Sequence, residues 1–199
     1  DALGIAQEMK NDSLAALALN RLGDVPFYKG DYAAARQQYE RALQSATKSA
    51  DRERILLSKF NLARVDVMQG RTPAAVVAFK KLASDADSLG LKALSVECSV
   101  YLGQALVQKK DGKAAQAELD RALARAEKLG LRVLQARAHY WMAQALLLTG
   151  DAKLATPHFR EVVRILEAIS KEDGSARVLE RADLQPIYRE SLKQFQGGS

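Results

Sequence analysis

The sequence has 199 residues, 48% of them hydrophobic, and 30 Lys and Arg stand against 24 Asp and Glu for a net charge of +6. Acids and bases are interleaved without a basic run or an acidic tail, the pattern of a solvated helical surface rather than of a nucleic-acid footprint, so no nucleic-acid partner is expected. No hydrophobic run reaches the length of a membrane span and no signal peptide opens the chain, so no membrane is expected either. The single Cys98 excludes an internal disulfide and makes a reducing, cytoplasmic setting the default.

Ala, Leu, Lys, Arg, Glu and Gln dominate while Gly and Pro are sparse, which favours helix over sheet. Residues 1–12 open inside a helix and without a Met, and Ala2-Leu3 matches Ala122-Leu123. They are read as the second helix of a repeat without its first, and the chain as a piece of a longer protein. Leu3, Ala6 or Met9 is then expected to lie partly uncovered, leaving this end mobile or paired with a second copy. The next helix begins at Asn11-Asp12-Ser13, any of which can cap it, and runs towards Tyr28 with Leu14, Leu17, Ala18 and Leu22 on its apolar face. Pro26 predicts a kink or an early end.

Gly30 makes a turn with positive φ, and Asp31 caps a helix that buries Ala35, Tyr39, Ala42 and Leu43. Asp51 caps the next, to Gln69. Thr72-Pro73 starts another, with a hydroxyl cap and a proline in the first turn. It ends at Leu89-Gly90-Leu91, a tripeptide that returns as Leu129-Gly130-Leu131. Helices 91–110, 113–128, 131–149 and 152–170 follow, the last bent at Pro157. Residues 171–195 read as polar capping helices divided at Pro186, with Asp183 able to cap the second, and 196–199 as a disordered tail.

The strongest signal is an internal repeat. Ala35, Ala75, Ala115 and Ala155 are evenly spaced, and each is followed one helical turn later by Tyr39, Phe79, Leu119 or Phe159. At a fixed distance before each alanine stands Leu22, Leu62, Leu102 or Met142, and a small residue follows: Gly23, Ala63, Gly103 or Ala143. Self-similarity at a period of about 40 residues marks stacked helical units that share one continuous core, here four units over 13–170.

These residues resemble the tetratricopeptide repeat, a helix–turn–helix unit with Leu-Gly and then Ala-x3-aromatic. The resemblance covers roughly residues 1–170 and implies an all-α, right-handed superhelix of antiparallel helix pairs. Units of about 40 rather than about 34 residues add about 9 Å of helix each if all the extra residues are helical. The family's tryptophan place holds Leu19, Lys59, Ser99 and His139, and its tyrosine place holds Pro26, Asp66, Leu106 and Leu146. Such long units are similar to those of bacterial signalling proteins, namely ATP-dependent transcription activators and the C-terminal regions of serine/threonine kinases. HEAT-type repeats, whose period also includes about 40, are the alternative fold.

No catalytic constellation stands out, and neither an enzyme nor a cofactor or metal is expected. His139 and His158 lack metal-binding spacing, Cys98 lies in an apolar stretch, and Asp66 is expected to face solvent or the groove. What remains is a surface. By the resemblance, first helices line a concave face, and their side chains stack in columns from unit to unit. One column is Asn20, Phe60, Val100 and Tyr140. The next is Arg21, Asn61, Tyr101 and Trp141, and a third is Asp24, Arg64, Gln104 and Gln144. The family's chaperone-binding members hold a terminal carboxylate there with lysines and asparagines. Asn61 fits, but no lysine does and Glu97 falls in an electropositive place, so a chaperone tail is not expected. The sequence points to a peptide- or protein-binding scaffold of a larger bacterial regulatory or signalling protein. A structural spacer or homodimerising element, and a ligand-sensing domain, stand as alternatives.

Overall fold

The computed structural model describes residues 2–172 and 174–196. Residue 196 closes the last helix, and the rest of the expected tail, 197–199, lies outside the described residues together with residues 1 and 173. No strand occurs among the described residues. After a short α1 (Ala2–Glu8) come α2 (Asp12–Tyr28), α3 (Tyr32–Lys48), α4 (Arg52–Met68), α5 (Thr72–Ser88), α6 (Lys92–Gln108), α7 (Gly112–Lys128), α8 (Arg132–Thr149) and α9 (Ala152–Ser170). A 3-10 turn (Ala176–Glu180) and α10 (Gln185–Gln196) finish the chain. Consecutive helices pack side by side as antiparallel neighbours, an all-α solenoid.

From α2 to α9 the helices begin at strictly even intervals, so each repeat unit is two equal halves. The reversal between helices is short, and its middle residue is left-handed in every case. Gly30 (φ 84°), Gly70 (76°), Gly90 (73°), Gly130 (65°) and Gly150 (90°) adopt this freely, whereas Lys10 (50°), Ala50 (52°) and Lys110 (64°) do so as L-residues. The following amide then reaches back to close the helix, as from Asp31 to the Pro26 carbonyl at 2.9 Å and from Leu91 to Ala86 at 2.9 Å. Asn11, Asp31, Asp51 and Asp111 each accept a hydrogen bond from the amide of Leu14, Ala34, Arg54 or Ala114, starting α2, α3, α4 and α7.

Several local expectations change. Thr72 does not cap α5 but lies inside it, its hydroxyl within reach of Gly70 O (3.2 Å) and of Gln108 Oε1 at the end of α6 (3.1 Å). Pro26 falls in the last turn of α2 and does not end it early, removing only the one hydrogen bond that its own N–H would have made. α9 runs unbroken through Pro157, and Pro186 lies in the first turn of α10, where its missing N–H is harmless, so the division falls at 181–184 instead.

The repeated motif explains the core. Ala35, Ala75 and Ala115 are fully buried and Ala155 nearly so, as are Tyr39, Phe79, Leu119 and Phe159. A Cβ on Gly23 would stand 2.5 Å from the Tyr39 ring, and one on Gly103 would stand 2.4 Å from Leu119 Cδ2. The small residue of the first helix therefore makes room for the large residue of the second.

The face of α2 expected to be buried is the exception. Its buried residues are Ala15, Ala16, Leu19, Asn20, Gly23 and Phe27. Leu14 and Leu22 are 42% and 46% exposed, and with Leu17, Ala18, Leu3 and Ile5 they line an open apolar hollow of about 600 Å³ between α1 and α2. Ala6 is buried, Met9 is exposed, and no helix among those described covers this side of α1.

Candidate functional site

The three columns of α2, α4, α6 and α8 do not present their side chains equally. Asn20, Phe60, Asn61, Arg64, Tyr101, Gln104 and Tyr140 are buried, Asp24, Trp141 and Gln144 are half-buried, and Arg21 is exposed beside Asp24 at 3.5 Å. Phe60 lies edge-on to Phe79 (6.0 Å) and Tyr101 (5.7 Å), and Phe79 stacks on Tyr101 at 5.6 Å, so these rings are core. Asn20 donates to Ser58 Oγ and Ala16 O and accepts from Asn61, which ties α2 to α4. Trp141 packs edge-on to Tyr140 at 4.9 Å.

Two buried arginines organise the concave face. Arg64, 4% exposed, reaches Asp24 Oδ1 (3.2 Å) and Tyr39 Oη (3.1 Å), faces Glu97 at 3.8 Å, and lies 4.2 Å from the centre of the Phe27 ring. Arg137 on α8 donates to Gln104 Oε1 (2.9 Å) and covers the Tyr101 ring at 4.4 Å. Glu97 sits between them with its side chain 30% exposed, and burial pushes its carboxyl above the usual carboxylate range against the pull of Arg64 and Arg137.

Across this face runs the link between the 3-10 turn and α10. Arg181 is extended (φ −62°, ψ 130°), its guanidinium 4.1 Å from the Tyr28 ring centre. The Ala182 amide donates to the Tyr28 carbonyl at 3.0 Å. Asp183, 4% exposed, accepts from Arg137 at 3.1 Å and from Arg181 at 3.1 and 2.9 Å, and its main-chain carbonyl accepts from Arg137 at 3.3 Å. Leu184 is fully buried. Both Asp183 oxygens are thus used by arginines, where the sequence suggested a helix cap. Beyond it, Glu190 of α10 accepts from Tyr140 (2.7 Å) and Gln144 (2.8 Å). This short turn, in which the Leu184 and Gln185 amides donate to the Arg181 carbonyl at 3.0 and 2.8 Å, joins the first unit to the fourth.

Tyr28, Arg137, Arg181 and Asp183 were not singled out by sequence as parts of this face. Arg137 carried a usable signal, since it stands one period after Glu97 and two after Leu57, a charge in a column that begins apolar. The segment 181–184 carried none, lying outside the period.

Elsewhere, Asp66 is partly exposed and paired with Arg36 and Arg71. Cys98 is buried, which pushes its thiol far up and leaves it unreactive. His139 and His158 meet through their Nδ1 atoms at 2.8 Å, one donating and one accepting. Among the described residues no group of three or more His, Cys, Asp and Glu could hold a metal ion, and no helix is long and apolar enough to cross a membrane.

The histidine pair makes stability pH-dependent. Burial, then His158, lowers the His139 pKa from 6.5 to about 4, and burial lowers His158 as well, while Glu161 pulls both upward and Arg164 pushes His139 down. The unfolded chain therefore binds more protons between the two values, and stability present above about pH 6.5 is lost as pH falls towards about 4. With solvent screening at this half-buried site the loss is roughly 2 kcal/mol. Urea midpoints measured from pH 7.5 to 4.5 are expected to fall, and His139→Phe to flatten the slope; an unchanged slope in the variant would assign the effect elsewhere.

Residues 13–84 match the tetratricopeptide repeat family. No curated protein matches the chain.

Proposed function

We propose that this chain, a tetratricopeptide-repeat protein, serves as a protein-interaction module of a larger bacterial regulatory or signalling protein in the cytoplasm and takes a peptide segment along its concave face. Repeats of this family generally mediate protein–protein contacts. The observation that supports this reading is the treatment of residues 181–184: the concave face pairs a main-chain amide and a carboxylate of this turn with groups from α2 and α8. Buried Arg and Tyr surrounded by aromatic rings are also the side chains that carry most interface energy. Asp24, Glu97, Trp141, Gln144 and Tyr28 form the reachable part of the face, with Arg21 at its rim. Asn20, Phe60, Asn61, Arg64, Tyr101, Gln104 and Tyr140 support it from below.

Selection of a peptide library on the chain tests this. Selected peptides are expected to bind Tyr28→Ala or Glu97→Ala about thirtyfold more weakly, roughly 2 kcal/mol, and Lys80→Ala and Asp120→Ala on the outer faces within about twofold. Binding should also perturb the emission of Trp141, the one tryptophan. Equal affinities across all four variants would move the site off the concave face.

A second reading is self-association through the hollow between α1 and α2. It is supported by Ile5 (57% exposed) and Leu22 (46%), which line the hollow and stay open to water, with Val25 (54%) exposed further along α2. Sedimentation should then show a dimer that Ile5→Glu with Leu22→Glu converts to monomer. A monomer at all concentrations would exclude it.

A further inference from the structure

The concave face is crossed by a short segment of the chain itself. Residues 181–184 belong to no helix or strand, yet Asp183 and Leu184 are among the most buried residues of the C-terminal region. Every recognition element of a peptide site is present. A main-chain amide is paired to the Tyr28 carbonyl, a carboxylate is read by Arg137, a basic side chain is laid on the Tyr28 ring, and an aliphatic side chain is taken out of water. The charges are complementary only with the segment in place. Arg64 is answered by Asp24 and Glu97 within the solenoid, whereas Arg137, among the described residues, forms an ion pair only with Asp183. Its other side-chain hydrogen bond goes to the neutral Gln104 amide. A buried arginine whose counter-ion comes from a link outside the repeats defines the chemistry that the face selects.

We propose that the groove reads a tight turn carrying an aspartate followed by a large aliphatic residue, and that Arg181–Leu184, whose Leu184 amide donates to the Arg181 carbonyl at 3.0 Å, is its resident occupant, which a partner segment of the same chemistry must displace. This rests on the concave-face reading above and gives it a ligand class and a built-in competitor. A tethered competitor acts at an effective concentration that reaches the millimolar range for short links, so the native chain screens out weak ligands.

The test uses the full chain and a labelled synthetic peptide with the sequence of residues 175–186. Asp183→Asn weakens the resident segment, and this chain is expected to bind the peptide at least tenfold more tightly than wild type does. A peptide with asparagine at the place of Asp183 should not bind. A second variant closes the groove. A Cβ on Gly30 would lie 3.7 Å from that of Ala182, within disulfide range, and Cys98 is buried away from it. Gly30 has φ +84°, but Ala50 and Lys110 show that equivalent turns accept L-residues. Oxidised Gly30→Cys/Ala182→Cys should lose all peptide binding and regain the wild-type level on reduction.

The proposal is overturned if the folded Asp183→Asn chain ignores the peptide, or if the crosslinked chain binds it as well as the reduced one. If Asp183→Asn does not fold, the crosslinked pair decides alone. Library-selected peptides that still depend on Tyr28 and Glu97 while the 175–186 peptide fails would reject this ligand chemistry and leave the concave-face reading standing. Loss of both would reject both.

Discussion

Arg137→Met is expected to destabilise the chain by about 3–5 kcal/mol, the usual cost of breaking a buried ion pair from one side. The substitution keeps most of the volume over the Tyr101 ring but removes every hydrogen bond the guanidinium makes. Gln104 Oε1 and the Asp183 carbonyl lose their donor, and the Asp183 carboxylate, 4% exposed, keeps only Arg181. Arg181→Ala should cost far less, about 1 kcal/mol, because that side chain is 30% exposed and leaves Asp183 with Arg137. Adding Asp183→Leu to Arg137→Met should recover much of the loss, since the buried charge goes with its partner. Urea unfolding of the wild-type and variant chains measures all of this. Equal losses for Arg137→Met and Arg181→Ala would mean that the link is not held as described.

Phe79→Ala is the second large effect, about 3–5 kcal/mol. Phe79 is fully buried, stacks on Tyr101 at 5.6 Å and meets Phe60 edge-on at 6.0 Å, so its removal leaves a hole shared by α4, α5 and α6. Such a hole closes poorly, because each of the three helices is already pinned by its own neighbours. Val77→Ala, on the same helix and 71% exposed, should stay within about 0.5 kcal/mol. In a stacked array the damage should also split the transition, as one flank unfolds before the other. Circular dichroism with Trp141 fluorescence, which reports only on α8, would show the two transitions apart. A single unshifted transition for Phe79→Ala would contradict the packing.

The helical solenoid was legible because its determinants are local and periodic. An Asp or Asn caps an amide of the next turn, and a left-handed turn needs only its own φ. Ala115 and Leu119 meet neighbours placed by the same motif one half-unit away. Even the finer half-unit rhythm was written in Gly30, Gly70, Gly90, Gly130 and Gly150, although the first and second helices differ too much for it to stand out beside the full period. An expectation failed locally where a residue had two ways to satisfy itself: Thr72 lies near Gly70 and Gln108 instead of capping.

The concave face obeyed neither rule. A column placed side by side in sequence register says which residues are neighbours, not which are covered, and coverage came from the last units. Asn61 and Tyr101 share the column of Arg21 and Trp141, and Gln104 that of Asp24 and Gln144, yet all three are buried, because helices turn part of each column into the interhelical seam. The fate of Arg137 was decided by Asp183, and that of Tyr28 by Ala182, which lies towards the opposite end of the chain. By itself the sequence determined the helices, their turns and their stacking, since those energies are settled within a unit and its neighbour. Only the tertiary structure decided that the stacking of four units brings α2 and α8 to either side of one short turn. That outcome depends on the sum of small rotations along the whole array, which no single motif encodes.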